Sequence, residues 1–272
     1  MQELLPKTLE EHRQYLYDIS RLMLFYVHLH LTNLHPGEES FQQVIRNRVD
    51  IYRKTDANPG PHTPAQTFFD EPAWKNMEDA AQKIFSAFAR DTDSDRQRFE
   101  DEAFPVFKDS LDRRCERDYL DNSVLANYQC GSLKHDSKLH EPGGFLGFHI
   151  ANAVRPHSIF DDPLYLPRCF RALIRVAEEK FHARGITTGT WLNSNRQWLA
   201  QFPAVWTEHL GPEQRDVGWH YGFWGQFISA RGTYAKKTGD YLREHHAFRY
   251  WPRTSHIDNQ TMKEHIRRIL GD

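Results

Sequence analysis

The chain has 272 residues, long enough for one large domain or two modest ones with a sizeable core, so its length permits an enzyme. Lys and Arg total 35 against 37 Asp and Glu, and a net charge of -2 gives no single-sign field, which argues against nucleic acid and membrane as partners. Cys115, Cys130 and Cys169 are odd in number and widely spaced, which suits neither a disulfide framework nor a CxxC zinc site and predicts a reducing, cytoplasmic setting.

In chain order, Thr8-Leu-Glu-Glu11 has the form of a capping box, and Tyr15, Ile19, Leu22, Tyr26 and Leu29 follow at helical spacing, predicting a helix over about residues 9–31. Its apolar run at 22–31 is too short to span a bilayer, contains His28 and His30, and is followed by no small-residue cleavage site, so no membrane or targeting segment is expected. A short helical stretch follows, then Asn58-Pro-Gly-Pro-His-Thr-Pro64, a loop by composition. Trp74, Met77, Ala81, Ile84, Phe85 and Phe88 form a helical stripe, and the charged segment 91–117 predicts another helix, interrupted near Pro105.

At Asp121-Asn-Ser the pattern changes. Two alternating apolar segments, 124–133 and 145–154, predict an antiparallel pair joined by a turn at Glu141-Pro-Gly-Gly144. Phe170, Leu173, Ile174, Ala177 and Phe181 mark a helix beginning near Pro167, and a strand is expected at 186–192. Ser194-Asn-Arg-Gln197 is a second capping-box pattern, predicting a helix from about Asn195. A strand near 217–221, helical material at 224–245, an aromatic stretch at 248–251 and a final helix capped by Asp258 complete the chain. The expectation is an α+β protein: a helical part over 1–120, then a mixed, largely antiparallel sheet with flanking helices over 121–272.

Three constellations in the second half can carry chemistry. At the Trp191 to Arg196 junction a strand end passes into a helix start, where free N–H groups suit a phosphate or carboxylate and Asn193, Ser194 and Arg196 stand ready to bind it. The alternative for Asn193 and Ser194 is capping alone. In Gly147-Phe-His-Ile-Ala-Asn152, alternation puts His149 on the face of Gly147 and Ala151, with room for a substrate beside the imidazole and Asn152 close by. Histidine titrates near pH ~6.5 and is a natural general base, which Glu141 could tune, although a strand histidine can equally be a satisfied core residue. In Asp216-Val-Gly-Trp-His-Tyr-Gly-Phe-Trp-Gly225, Trp219 and Tyr221 share one face and His220 takes the other, giving a candidate acid in Tyr221 and a base or substrate contact in His220.

Trp191, Trp198, Trp206 and Trp219 suit either core filling or a pocket wall. Of the sixteen histidines, His140, His149, His157 and His220 are the ones placed to converge, but no metal-ligand spacing such as HExxH is present, and no metal is predicted. His256-Ile-Asp258 has the H-x-D form of part of an iron triad but falls at a predicted helix start. The sequence also lacks the serine-hydrolase elbow, the P-loop and the dinucleotide-binding glycine turn.

Tyr128-Gln-Cys-Gly-Ser-Leu133, Leu146-Gly-Phe-His-Ile150 and Thr190-Trp-Leu-Asn-Ser194, with Pro203 beyond, follow one another in an order that resembles the GNAT-like C-terminal domain found after a helical N-terminal domain in bacterial acyltransferase-type proteins. The match covers roughly residues 128–203; Thr190 stands where that family has serine, Asn193-Ser194 where it has Leu-Asp, and the wider superfamily's Q/R-x-x-G-x-G/A pyrophosphate loop is absent. The resemblance implies acyl transfer from an acyl-CoA or another thioester to an amine of a small metabolite, with His149 as base, Tyr221 as acid, and Trp191 to Arg196 beside the donor. Two other readings fit the residues. One is a histidine-based acid/base enzyme of small-molecule biosynthesis, using His149 or His220 with Glu141 and no CoA; the other is a small-ligand-binding protein with a Trp-rich surface.

Overall fold

The chain is an α+β protein with a helical N-terminal region followed by a four-stranded mixed sheet. A computed structural model describes residues 6–59, 69–119, 121, 125–216 and 222–271. The chain forms two compact units, one of Lys7–Asp121 with Val217–Arg249, the other of Met1–Pro6, Asn122–Asp216 and Tyr250–Asp272. The segment 217–249, grouped by the sequence with the α/β half, therefore belongs to the helical unit. Among the described residues, no helix is long and apolar enough to cross a membrane.

The helical unit is built on α1 (Leu9–Leu29) and α5 (Asp93–Asp118), with α2 (Phe41–Asn47), α3 (Ile51–Lys54) and α4 (Pro72–Ala87) between them. Both halves of the Thr8 capping box form: the Glu11 amide donates to the Thr8 hydroxyl at 3.1 Å and the Thr8 amide to the Glu11 carboxylate at 2.8 Å. Helix α5 runs unbroken through Pro105, contrary to the interruption expected there. Pro105 faces solvent, where water can serve the carbonyl it leaves unpaired, while Phe99, Phe104, Phe107 and Leu111 stay buried on the opposite side and hold the helix straight through. Of the Pro-rich loop, Gly60 to Pro64 lie outside the described residues. The later segment joins this unit through aromatic packing: the Trp224 indole donates to the Arg48 carbonyl at 3.0 Å, and Trp224 and Phe248 both lie against Tyr26 of α1. Helix α9 (Lys236–His245) closes this segment.

The α/β unit carries the sheet β1 (Leu133–His140), β2 (Phe145–Ile150), β3 (Gly185–Thr190) and β4 (Arg253–Asp258), in that spatial order. β1 and β2 are antiparallel, β2 and β3 parallel across the helix α6 (Tyr165–Glu179), and β3 and β4 antiparallel. One sheet face is apolar: Leu146, Phe148, Ile186 and Ile257 pack on Phe170, Leu173 and Ile174 of α6, on Met262 and Ile266 of α10 (Asn259–Leu270), and on Trp198 of α7 (Arg196–Leu199) and Trp206 of α8 (Ala204–Glu208). The opposite face, carrying Phe145, Gly147, His149, Thr187, Gly189, Thr254 and His256, is largely open to water, as sheets with antiparallel edges allow.

Two strands differ from expectation. β1 begins at Leu133, where the predicted strand was to end, and 125–127 form a short 3-10 turn instead. The strand runs through the largely polar segment Lys134 to His140, which suits an edge strand with one wet face better than the apolar stretch before it. β4 was not anticipated at all; its only signal is Ser255 and Ile257 turned inward between exposed or half-exposed neighbours. Asp258 then caps α10, accepting from the Thr261 amide at 2.8 Å as expected of it.

Candidate functional site

The β1/β2 hairpin assembles a cluster of three side chains on the open face. His140 pairs with Phe145 beside the turn, and uninterrupted pairing from there would set Asp136 opposite His149. A register shift between His135 and Leu139 instead makes Lys134 the partner of His149 and leaves Asp136 diagonal to it, beside Gly147. A bulge of this kind re-aims a side chain. Here the Asp136 carboxylate lies over β2, bonded through one oxygen to His149 Nε2 at 2.7 Å and through the other to His140 Nε2 at 2.8 Å.

Gly147 makes that position possible. A Cβ on it would collide with Asp136 Oδ2 and His140 Nε2, so the space expected beside His149 for a substrate is filled by its own carboxylate partner. In Gly147→Ala the obstructing atoms are the ends of flexible side chains, so the strand should survive with stability within about 1 kcal/mol of the parent. The carboxylate must move, and imidazole nitrogen NMR should record loss of the His149 to Asp136 hydrogen bond with an unchanged circular dichroism spectrum. A retained hydrogen bond would show that the missing side chain is not what seats Asp136.

Both imidazoles donate from Nε2, because their acceptor is an ionised carboxylate, and so Nδ1 is the nitrogen left to act as base in each neutral ring. His149 and His140 are exposed, at 61% and 60% of their side chains, while Asp136 is at 29%. The hydrogen bond from His149, opposed by burial and helped by the one from His140, pulls the Asp136 carboxyl down to about 2. That value lies below the unfolded one, near ~3.9, so its stabilisation is fully present above about pH 4 and is lost as the pH falls toward 2. Because both imidazoles are exposed, solvent screening holds the contribution to about 1 kcal/mol. The gap in melting temperature between the parent and Asp136→Asn should therefore narrow across that window; a gap unchanged down to pH 2 would contradict the assignment.

The other residues singled out from the sequence are not drawn into this cluster. Glu141 sits in the hairpin turn, at the opposite end of the β1/β2 ladder from His149, so the carboxylate partner is Asp136 and not Glu141. Asn152 folds its own loop, donating to the His157 carbonyl at 2.8 Å and accepting from the Val154 amide at 3.0 Å. Trp191 packs near the Tyr250 ring, 5.8 Å between centroids. Trp219, His220 and Tyr221, with the strand expected at 217–221, lie outside the described residues.

The Trp191 to Arg196 junction is structural. Asn193 is fully buried; its amide group donates to the carbonyls of Thr188 at 3.0 Å and Arg253 at 2.7 Å, and its oxygen accepts from the indoles of Trp198 at 3.0 Å and Trp206 at 3.2 Å. Ser194 donates to the Trp251 carbonyl at 2.7 Å. The cap of α7 is Asn195, which accepts from the amides of Gln197 and Trp198, so the capping box expected from Ser194 and Gln197 is replaced by a side chain one residue later. α7 has only four residues, too few for the cumulative dipole that an anion site would use, and Arg196 points into solvent.

A second feature adjoins His149. The parallel β2/β3 ladder holds for three pairs, from Phe145 with Gly185 to Gly147 with Thr187, although β2 runs on to Ile150 and β3 to Thr190. Past Gly147 the contact between them is a side-chain one, the Thr188 hydroxyl donating to the Phe148 carbonyl at 2.7 Å. Peptide groups at the carboxyl ends of two parting parallel strands are a usual place for ligands to bind. His149 stands on β2 at this opening.

His157 is exposed and lies 4.0 Å from Asp161, away from the hairpin cluster. His256 stacks face to face on His209, centroids 4.3 Å apart, and burial followed by the neighbouring His209 lowers its pKa. Among the described residues no group of three or more His, Cys, Asp or Glu is arranged to hold a metal ion. Compared with protein-family profiles, with curated proteins and with solved structures, the chain matches none of them.

Proposed function

We propose that the α/β unit is an acyltransferase-like enzyme that moves an acyl group from a thioester donor to an amine of a small metabolite, with His149 as base and Asp136 as the residue that orients it. The observation that carries this reading is the 2.7 Å Asp136 to His149 hydrogen bond beside the opening of the β2/β3 ladder. An amine acceptor must shed a proton as it attacks the thioester carbonyl. His149 Nδ1, the ring nitrogen not bonded to Asp136, takes it, and the anionic Asp136 stabilises the imidazolium that results. As the tetrahedral intermediate collapses, the carbon to sulfur bond breaks and the imidazolium returns the proton to the departing thiolate. The peptide groups where β2 and β3 part suit an extended donor bearing amides, as an acyl-pantetheine arm does.

The reading is tested by warming the protein with CoA and acetyl-CoA. A ligand at a hundred times its Kd stabilises by about 2.7 kcal/mol, so a clear rise in melting temperature is expected at millimolar concentration. No shift with either compound, together with no thiol release from acetyl-CoA over a panel of small amines, would remove the thioester from the proposal.

A further inference from the structure

On the open face of the sheet the central strand β3 presents only small side positions, Thr187 and Gly189. The Thr187 hydroxyl is tied to the Ser255 carbonyl at 2.8 Å, and a Cβ placed on Gly189 would touch only the Thr254 hydroxyl, at 3.3 Å. Imidazoles stand on the strands to either side, His149 on β2 and His256 on β4. A lane of small residues between two histidines therefore runs along β3, and one end of it lies where β2 and β3 part, beside His149.

The other end is closed. Gly185 puts no side chain between its neighbours, so Phe145 of β2 reaches across β3 to the His256 ring, 4.8 Å between centroids. The Arg184 guanidinium lies 5.7 Å from the Phe145 ring, and the His209 ring stacks on His256. The charged neighbours that act on His256 are both positive: after burial, His209 and Arg184 hold its pKa down. Asp258, further along β4, is engaged by the Thr261 amide and hydroxyl at 2.8 and 2.7 Å, and Asp136 by its two imidazoles. Among the described residues Arg184 has no carboxylate partner. The closed end is thus an aromatic corner with a guanidinium, whose paired N–H donors match a carboxylate. His149 and His256 are two strands and two residues apart, about 12 Å between Cα atoms, so a molecule that touches both ends of the lane must be elongated.

We propose that the acceptor is an elongated amine with a carboxylate at its far end, the amine at His149, the chain over Gly189 and Thr187, and the carboxylate on Arg184 beside His256. The fate of the amine rests on the acyl-transfer reading above; the seat of the carboxylate does not. With acetyl-CoA as donor, kcat/KM for 6-aminohexanoate should exceed that for n-hexylamine about tenfold or more, and Arg184→Gln should bring the ratio down toward one. In a titration of the full chain followed by imidazole NMR at constant ionic strength, 6-aminohexanoate should bind saturably and raise the pKa of His256, because an anion beside the ring favours its charged form; n-hexylamine should not. A ratio near one in the parent, or an undiminished ratio in Arg184→Gln, overturns the proposal and leaves acyl transfer standing. If neither amine is acylated but 6-aminohexanoate binds and Arg184→Gln weakens it about tenfold, acyl transfer falls and the carboxylate seat is upheld. Neither acylation nor binding removes both.

Discussion

With His149 replaced by alanine, kcat/KM for amine acylation is expected to fall about 10²- to 10⁴-fold, the range a single general base contributes. The side chain is 61% exposed and lies outside the apolar core, so its removal should cost no more than about the 1 kcal/mol of its bond to Asp136, and a loss of activity of that size can be assigned to chemistry. Asp136→Asn separates orientation from basicity. The ionised carboxylate accepts from both imidazoles at once, whereas an amide offers one oxygen and one N–H group, and can accept from only one Nε2. The other histidine is then driven to its alternative tautomer or turned away. The expected result is a large fall in kcat with little change in the KM of the thioester, because Asp136 acts through His149 and has no role in holding the donor. His140→Ala, which leaves the Asp136 to His149 bond in place, should cost far less. Activity within twofold of the parent in His149→Ala would refute the base assignment, and equal losses in His140→Ala and His149→Ala would refute the choice between the two imidazoles.

What the sequence made legible followed from strong local patterns. The Thr8 capping box, the α1 stripe, the Glu141 to Gly144 turn, the apolar face of α6 and the Asp258 cap each rest on interactions within a few residues, where spacing alone decides geometry. His149 was picked out because alternation along β2 is strict, and its face was assigned correctly beside Gly147. Asp136 was missed for the opposite reason. Its relation to His149 depends on hairpin register, and two extra residues on β1 opposite Gly147 change that register without altering the composition of either strand. Counting back from the turn would still have set Asp136 opposite His149, so the hairpin held the signal once β1 was taken as Lys134 to His140. At the Trp191 to Arg196 junction the sequence left capping and ligand contact both open, because Asn is both a frequent cap and a frequent ligand contact. Only the tertiary positions of Thr188, Arg253, Trp198 and Trp206 reveal it as a buried crosslink.

That crosslink predicts a large stability effect. Asn193 joins the ends of β3 and β4 to the two helices that carry Trp198 and Trp206, and its four partners fix which end of the amide is which. Asn193→Ala strands two indole N–H groups in a site closed to water and removes a second hydrogen bond from two carbonyls that remain paired in the β3/β4 ladder. Each stranded group costs about 1–3 kcal/mol, but partial relaxation will recover some of this, so a loss of about 3–5 kcal/mol is expected. Asn193→Asp should be worse. The volume is conserved, yet both donors vanish and a carboxylate oxygen is pressed against the Thr188 and Arg253 carbonyls, with burial disfavouring the charge. Urea unfolding followed by tryptophan fluorescence reports on this region directly, since both indoles are fully buried and respond as the contacts open. The same measurement separates the two roles considered for Asn193. A substrate-binding residue would lower affinity or turnover while leaving the unfolding midpoint in place; a crosslink should lower the midpoint steeply. A midpoint unchanged in Asn193→Ala would overturn the crosslink and leave Asn193 a candidate ligand contact.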